Sequence, residues 1–151
     1  MFFQEACREA GLNPYLFEFV NIRDSGLHNV IVAGISYGQG SSREHAALCP
    51  MYMGVKAVIT KGMERIHKAN LVNFGIVPLH FVDEADYDRI DQGDRLRIPG
   101  IRAALEGEGE TVKVVNETKG TEFIARFDLS EKERRKILAG GTLNLIAQKR
   151  K

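Results

Sequence analysis

Between Gly34 and Leu48 the chain reads Gly-Ile-Ser-Tyr-Gly-Gln-Gly-Ser-Ser-Arg-Glu-His-Ala-Ala-Leu. Gly34, Gly38 and Gly40 carry no side chain, so backbone N–H groups can come close to a ligand. Ser41, Ser42 and Arg43 then add two hydroxyls and a fixed cation where a helix is expected to start. A helix N-terminus concentrates unsatisfied N–H groups and positive dipole. The combination suits an anion, a carboxylate or a phosphate. Gly38 and Gly40 would let the backbone approach it.

Two readings of Ser41 stand side by side. Ser41 and Glu44 form S-x-x-E, the spacing of a capping box. A capping serine is also placed to meet a ligand. No histidine is spaced to serve Ser41 as a base. A serine that itself takes a proton needs strong positive potential, available here from the helix start and Arg43. Arg43 is either a first-turn surface arginine or a bidentate carboxylate ligand. His45, inside the helix, is expected to make a structural hydrogen bond, and Tyr37 to flank the site or pack.

Other phosphate loops fail on detail. A Walker loop needs Gly-Lys-Ser/Thr where this chain has Gly40-Ser41-Ser42. A dinucleotide fingerprint needs a third glycine after Gly38-Gln39-Gly40. No G-x-S-x-G elbow is present. A second polar cluster spans Lys61–Gly75, where Arg65, His67 and Lys68 are expected on a solvated helix face. Asn70 and Asn73 are candidates to bind the backbone of neighbouring loops.

The elements that must position these residues alternate. Val30–Ala33 reads as a buried strand and Ser42–Met53 as a helix that Pro50 kinks or ends. Val55–Thr60 is a second strand, Met63–Phe74 a second helix with Gly75 as its left-handed stop. Ile76–Phe81 is a third strand, with Pro78 suggesting an edge or a strand end. Such alternation is the pattern of α/β units with parallel pairing.

The second half changes character. Asp83–Ile90 reads as a short polar helix and Asp94–Ile98 as a strand ending at Pro99-Gly100. Residues 101–110 read as a loop. Thr111–Val115 and Thr121–Phe127 flank a hairpin turn. Ser130 and Glu133 form a capping box for a helix ended by Gly140-Gly141. The basic tail 148–151 is expected to be mobile. Residues 2–10 read as a short helix ending near Gly11.

The chain has 151 residues, 44% of them hydrophobic and 27% charged, with net charge +1. That suits one globular domain and argues against a dedicated nucleic-acid surface. No apolar run approaches the roughly 18–20 residues of a membrane span. The N-terminal ten residues are too charged for a signal peptide. Cys7 and Cys49 are far apart, read as free thiols of a reducing cytosol, and are too few for an iron–sulfur cluster. The four histidines show no metal-ligand pairing, so no metal site is expected in the chain.

Tyr37–Leu48 resembles the signature of the aconitase C-terminal swivel domain. Gly54–Ile59, Arg65–Gly75, Ile76–Leu79 and Asp86–Asp94 continue the resemblance in order. It implies a swivelling β/β/α domain, a mixed sheet with flanking helices, spanning residues 1–151 and short at its N-terminus. It also implies interconversion of citrate and isocitrate through cis-aconitate, a step of the tricarboxylic acid cycle. Ser41 would be the base, Ser42 and Arg43 the substrate-carboxylate ligands, and Gly38, Gly40, Glu44 and His45 positioning residues. A [4Fe-4S] cluster would be held by the other three domains or a partner chain. The tricarboxylate would bind between them and this chain, which alone would be inactive. At Gly62-Met63-Glu64 the family usually has Ser-Phe-Ala.

Two alternatives accompany this reading. One is a freestanding small subunit of isopropylmalate or homoaconitate isomerase, which shares the Gly-Ser-Ser-Arg-Glu-His wording. The other is a non-catalytic RNA-binding module, to which near-neutral charge lends little. The expected compartment is the cytoplasm.

Overall fold

The computed structural model describes residues 25–107 and 109–150. Six strands form one sheet in the order β1-β2-β3-β6-β5-β4. The strands are β1 (Asn29–Ala33), β2 (Val55–Thr60), β3 (Val77–Phe81), β4 (Leu96–Arg97), β5 (Thr111–Asn116) and β6 (Thr121–Arg126). β1, β2 and β3 run parallel, with Ala33 beside Thr60 and Thr60 beside His80. From β3 onward the pairing is antiparallel. This is the mixed α/β architecture expected from the alternation.

The burial patterns explain the two halves. β2 is buried at five of six positions, as a parallel strand covered on both faces must be. Its neighbours Val58 and Ile59 point to opposite faces and enter different clusters. Val58 packs with Ala47 and Leu71 from the first two helices, α1 (His45–Tyr52) and α2 (Arg65–Asn73). Ile59 joins Leu79, Phe81, Val114, Phe123, Ala125 and Phe127. Leu105 of α3 (Ile101–Glu106) and Ile137 of α4 (Glu131–Leu138) close that larger core. β6 instead alternates buried and exposed along most of its length and leaves one face wet.

Several sequence expectations are corrected. The strand expected to be buried at Val30–Ala33 is half-buried, because β1 is an edge of the sheet. α1 starts at His45 rather than Ser42, because the preceding loop is held by other contacts described below. Pro78 lies fully buried in an interior strand rather than at an edge, although it stands near the strand end, second in β3, as the other half of that expectation had it. The strand tolerates it because pairing with β6 begins only at His80, beyond the proline. Residues 101–106 form a helix rather than a loop, since Leu105 is drawn into the core. Gln148 and Lys149 end α5 (Thr142–Lys149), so that stretch of the tail is helical. The strand expected at 94–98 shortens to Leu96–Arg97, and Glu84–Arg89 is a 3-10 turn capped by Asp83. The expected helix over residues 2–10 and Cys7 lie outside the described residues.

Candidate active site

The serine loop leaves β1 at the carboxyl end of the parallel strands, where open α/β sheets bind their ligands. Backbone hydrogen bonds lay it along the loop that leaves β2. Gly62 N–H donates to Gly34 O at 3.3 Å, Tyr37 N–H to Gly62 O at 2.9 Å, and Glu64 N–H to Tyr37 O at 2.9 Å. Two positive φ angles then turn the chain, +59° at Ser36 and +94° at Gly38. Left-handed backbone at a residue with a side chain is strained and clusters near functional sites.

Gly38 is needed for two reasons. Its φ favours glycine. It also lies on the His67 ring, where a Cβ would come within 2.3 Å of the histidine Cβ and Cγ. His67 is only 3% exposed, and Tyr37 meets its ring edge-on at 4.9 Å between centroids. Neither ring nitrogen has a hydrogen-bond partner among the described residues. Burial pushes the His67 pKa down, so the imidazole stays neutral. Burial pushes the Tyr37 phenol up. Gly40, by contrast, faces open space.

The capping box expected between Ser41 and Glu44 does not form. Glu44 has helical backbone angles and makes no side-chain cap. Ser41 Oγ instead accepts the Arg43 N–H at 3.2 Å. The Ser42 carbonyl accepts from Asn70 Nδ2 of α2 at 3.1 Å, the loop-binding role foreseen for that asparagine. Ser41 is half-buried, while Ser42, Arg43, Glu44 and His45 are exposed. His45 is exposed at the first position of α1, and no hydrogen bond of its side chain is found among the described residues.

A groove of about 280 Å³ runs between this loop and the start of α2. Gly38, Gln39 and Ser42 form one wall, Glu64, Arg65 and Ile66 the other. Ser41 and Arg43 flank Ser42 outside that lining. Arg65, itself exposed, brings a cation to the groove, and the start of α2 forms one of its walls. His67 and Asn70, one helical turn apart, both bear on the loop. Their common spacing with the buried Leu71 was the available signal. A larger cavity of about 340 Å³, near Gly93 and Thr118, lies at the opposite edge of the sheet.

The site opens to solvent beside apolar side chains. Ile35 is 77% exposed and Ile66 52%. Among the described residues no three His, Cys, Asp or Glu side chains gather as a metal site, and Cys49 is a free, exposed thiol. These residues do not fit an iron–sulfur cluster.

Comparison with known proteins adds to this geometry. Residues 16–84 match the model of the aconitase C-terminal domain. A putative mitochondrial aconitate hydratase of Emericella nidulans is 41% identical over 124 residues, 80% of this chain and 16% of that protein. The mitochondrial aconitate hydratase of Saccharomyces cerevisiae is 45% identical over 92 residues, 61% of this chain and 12% of that one. A crystal structure of 3-isopropylmalate dehydratase from Methanocaldococcus jannaschii superposes with a TM-score of 0.64 at 33% identity. That match covers 80% of this chain and 64% of the other. The chain thus spans about a sixth of the length of such curated aconitate hydratases. These relatives are mitochondrial by name, which overturns the cytoplasmic expectation.

Proposed function

This chain belongs to the aconitase C-terminal domain family, and from that membership we propose that it serves a hydro-lyase interconverting citrate and isocitrate through cis-aconitate. Ser41 is the base, Ser42 and Arg43 bind substrate carboxylate, and Gly38, Gly40, Glu44 and His45 shape the loop. Residues 1–151 act as one swivel domain closing over the domains that hold the [4Fe-4S] cluster, in the same protein or a partner chain.

The observation that carries this reading is the Arg43 N–H held on Ser41 Oγ. A fixed backbone donor lowers the cost of negative charge on that oxygen. Ser41 Oγ then takes a proton from the substrate carbon, and its C–H electrons form the double bond. The hydroxyl leaves the neighbouring carbon as hydroxide and becomes water by taking a proton from an acid outside the described residues. Hydration reverses each transfer. The Arg43 guanidinium, exposed beside Ser42, suits a substrate carboxylate by its planar pair of donors. Exposed Ile35 and Ile66 support closure against a second surface, which would exclude water from the proton transfer.

A freestanding small subunit of an isopropylmalate-type isomerase is the second reading. The superposition on 3-isopropylmalate dehydratase favours it.

The test uses the native protein purified together with its cluster-bearing domains. Turnover of citrate and cis-aconitate supports the first reading, and turnover of isopropylmalate alone supports the second. Turnover of none of these, with the cluster intact, sinks both. Arg43→Lys is expected to raise KM more than it lowers kcat, because lysine cannot make the two-point contact. An unchanged KM counts against a carboxylate role. This chain alone is expected to show no turnover.

A further inference from the structure

We propose that Asn70 is a positioning residue for Ser41, acting through the peptide bond between Ser42 and Arg43. The inference rests on Ser41 as the base. Asn70 is 7% exposed and sits on α2, 28 residues from its partner. Its Nδ2 donates to the Ser42 carbonyl oxygen at 3.1 Å. The other end of the same peptide unit, the Arg43 N–H, donates to Ser41 Oγ at 3.2 Å.

A peptide unit is planar, and no described bond is cis, so its C=O and N–H point in opposite directions. Holding the oxygen from α2 therefore aims the hydrogen. Asn70, the peptide and Ser41 form a line of three groups joined by two hydrogen bonds. In such a line each bond polarises the next, strengthening it by roughly 10–30%. A donor on the Ser42 carbonyl makes the Arg43 N–H a better partner for negative charge on Ser41.

The loop has no helix cap to do this instead, since Glu44 makes none. One turn earlier on α2, His67 beds Gly38. α2 thus holds the loop at two places three residues apart, and among the described residues only the Asn70 contact reaches the peptide that faces the serine. Without Asn70 the plane of that peptide is free to tilt, and the Arg43 N–H drifts off Ser41. The fold survives, because the Gly38 contact and the bonds to the β2 loop remain.

The experiment compares Asn70→Ala, the near-isosteric Asn70→Asp and Ser41→Ala in the protein assembled with its cluster-bearing domains. Both Asn70 variants are expected to lose roughly 10–100-fold in kcat with little change in KM. The acid limb of the kcat–pH profile should move to higher pH, because a serine oxygen with a weaker donor holds its proton more tightly. Hydrogen exchange across residues 38–45 should quicken while β2 stays protected.

Unchanged kcat and an unchanged acid limb in either folded variant overturn the inference. So does a loss of kcat with no movement of the limb, which marks a merely structural asparagine. If Ser41→Ala abolishes turnover while the Asn70 variants are normal, only this inference falls. If Ser41→Ala retains turnover, the base assignment and the inference fall together.

Discussion

Two segments of this molecule carry the same four-residue pattern, serine followed three residues later by glutamate, at the start of a helix. At Ser130 the pattern does what it does in isolation. Ser130 N–H and Oγ both reach Glu133 Oε2, at 2.8 and 2.6 Å, and a capping box opens α4. At Ser41 the same pattern makes no box. Glu44 lies exposed, α1 begins at His45, and the serine oxygen takes the Arg43 N–H. The difference lies outside both segments. Ser130 has extended backbone angles and leaves its box undisturbed. The Ser41 loop is gripped by α2, at Gly38 through His67 and at Ser42 through Asn70. Tertiary contact overrides a local bond worth about 1 kcal/mol and keeps the Ser41 oxygen off the carboxylate.

Substitutions can break this contrast in order of size. Ser41→Ala should cut kcat of the assembled enzyme by about 10²–10⁴-fold with little change in unfolding temperature. Steady-state kinetics beside a thermal melt checks it. An equal loss of kcat and of substrate binding would count against the base assignment. Gly38→Ala should destabilise by about 1–3 kcal/mol, because its Cβ would overlap the buried His67 at an unfavourable φ. Gly40→Ala, with open space around it, is the matched control and should melt like the parent. A denaturant titration of both settles whether the grip on Gly38 is real.

Ser130→Ala should reverse the first result. Stability falls by about 1 kcal/mol with the lost cap, while kcat per folded molecule is unchanged. The smallest effect is graded with pH. Burial holds the folded pKa of His67 below its unfolded value, so stability is intact above the ordinary histidine range. It is lost as the pH falls through the lowered His67 value, because only the unfolded chain binds the proton readily. His67→Phe should flatten that dependence in melts taken across the acid side of neutrality. A slope identical to the parent would show that His67 binds its proton equally in the folded and the unfolded chain.

Where the local signal was strong, the chain was readable. The run Val-Lys-Ala-Val-Ile-Thr became β2 at its expected boundaries, and Gly75 took the left-handed stop at φ +73°. The hairpin around residues 116–120 and the Ser130 box also formed as expected. Residues 101–106 were missed because glycine and glutamate after them read as loop, whereas burial of Leu105 draws that turn into a helix. Pro78 marked a strand end correctly but not an edge, because the rule against proline in a sheet concerns its missing N–H, and pairing with β6 starts only at His80. In the site, the glycines, serines and arginine stood out by composition. Arg65 and His67 did not, since a charged helix face looks the same whether it meets solvent or a loop 30 residues earlier.

The sequence by itself determined which groups are available: a glycine-rich turn, two serines and an arginine after a β-branched strand, in wording shared with a known family. Those properties are local, set by side-chain chemistry and backbone freedom. Only the tertiary structure decided what the serine oxygen bonds to. The two patterns are alike in sequence, and local energetics favours the cap at both. The choice between cap and open site comes from α2, which reaches the loop across nearly thirty residues of chain and orients one peptide plane.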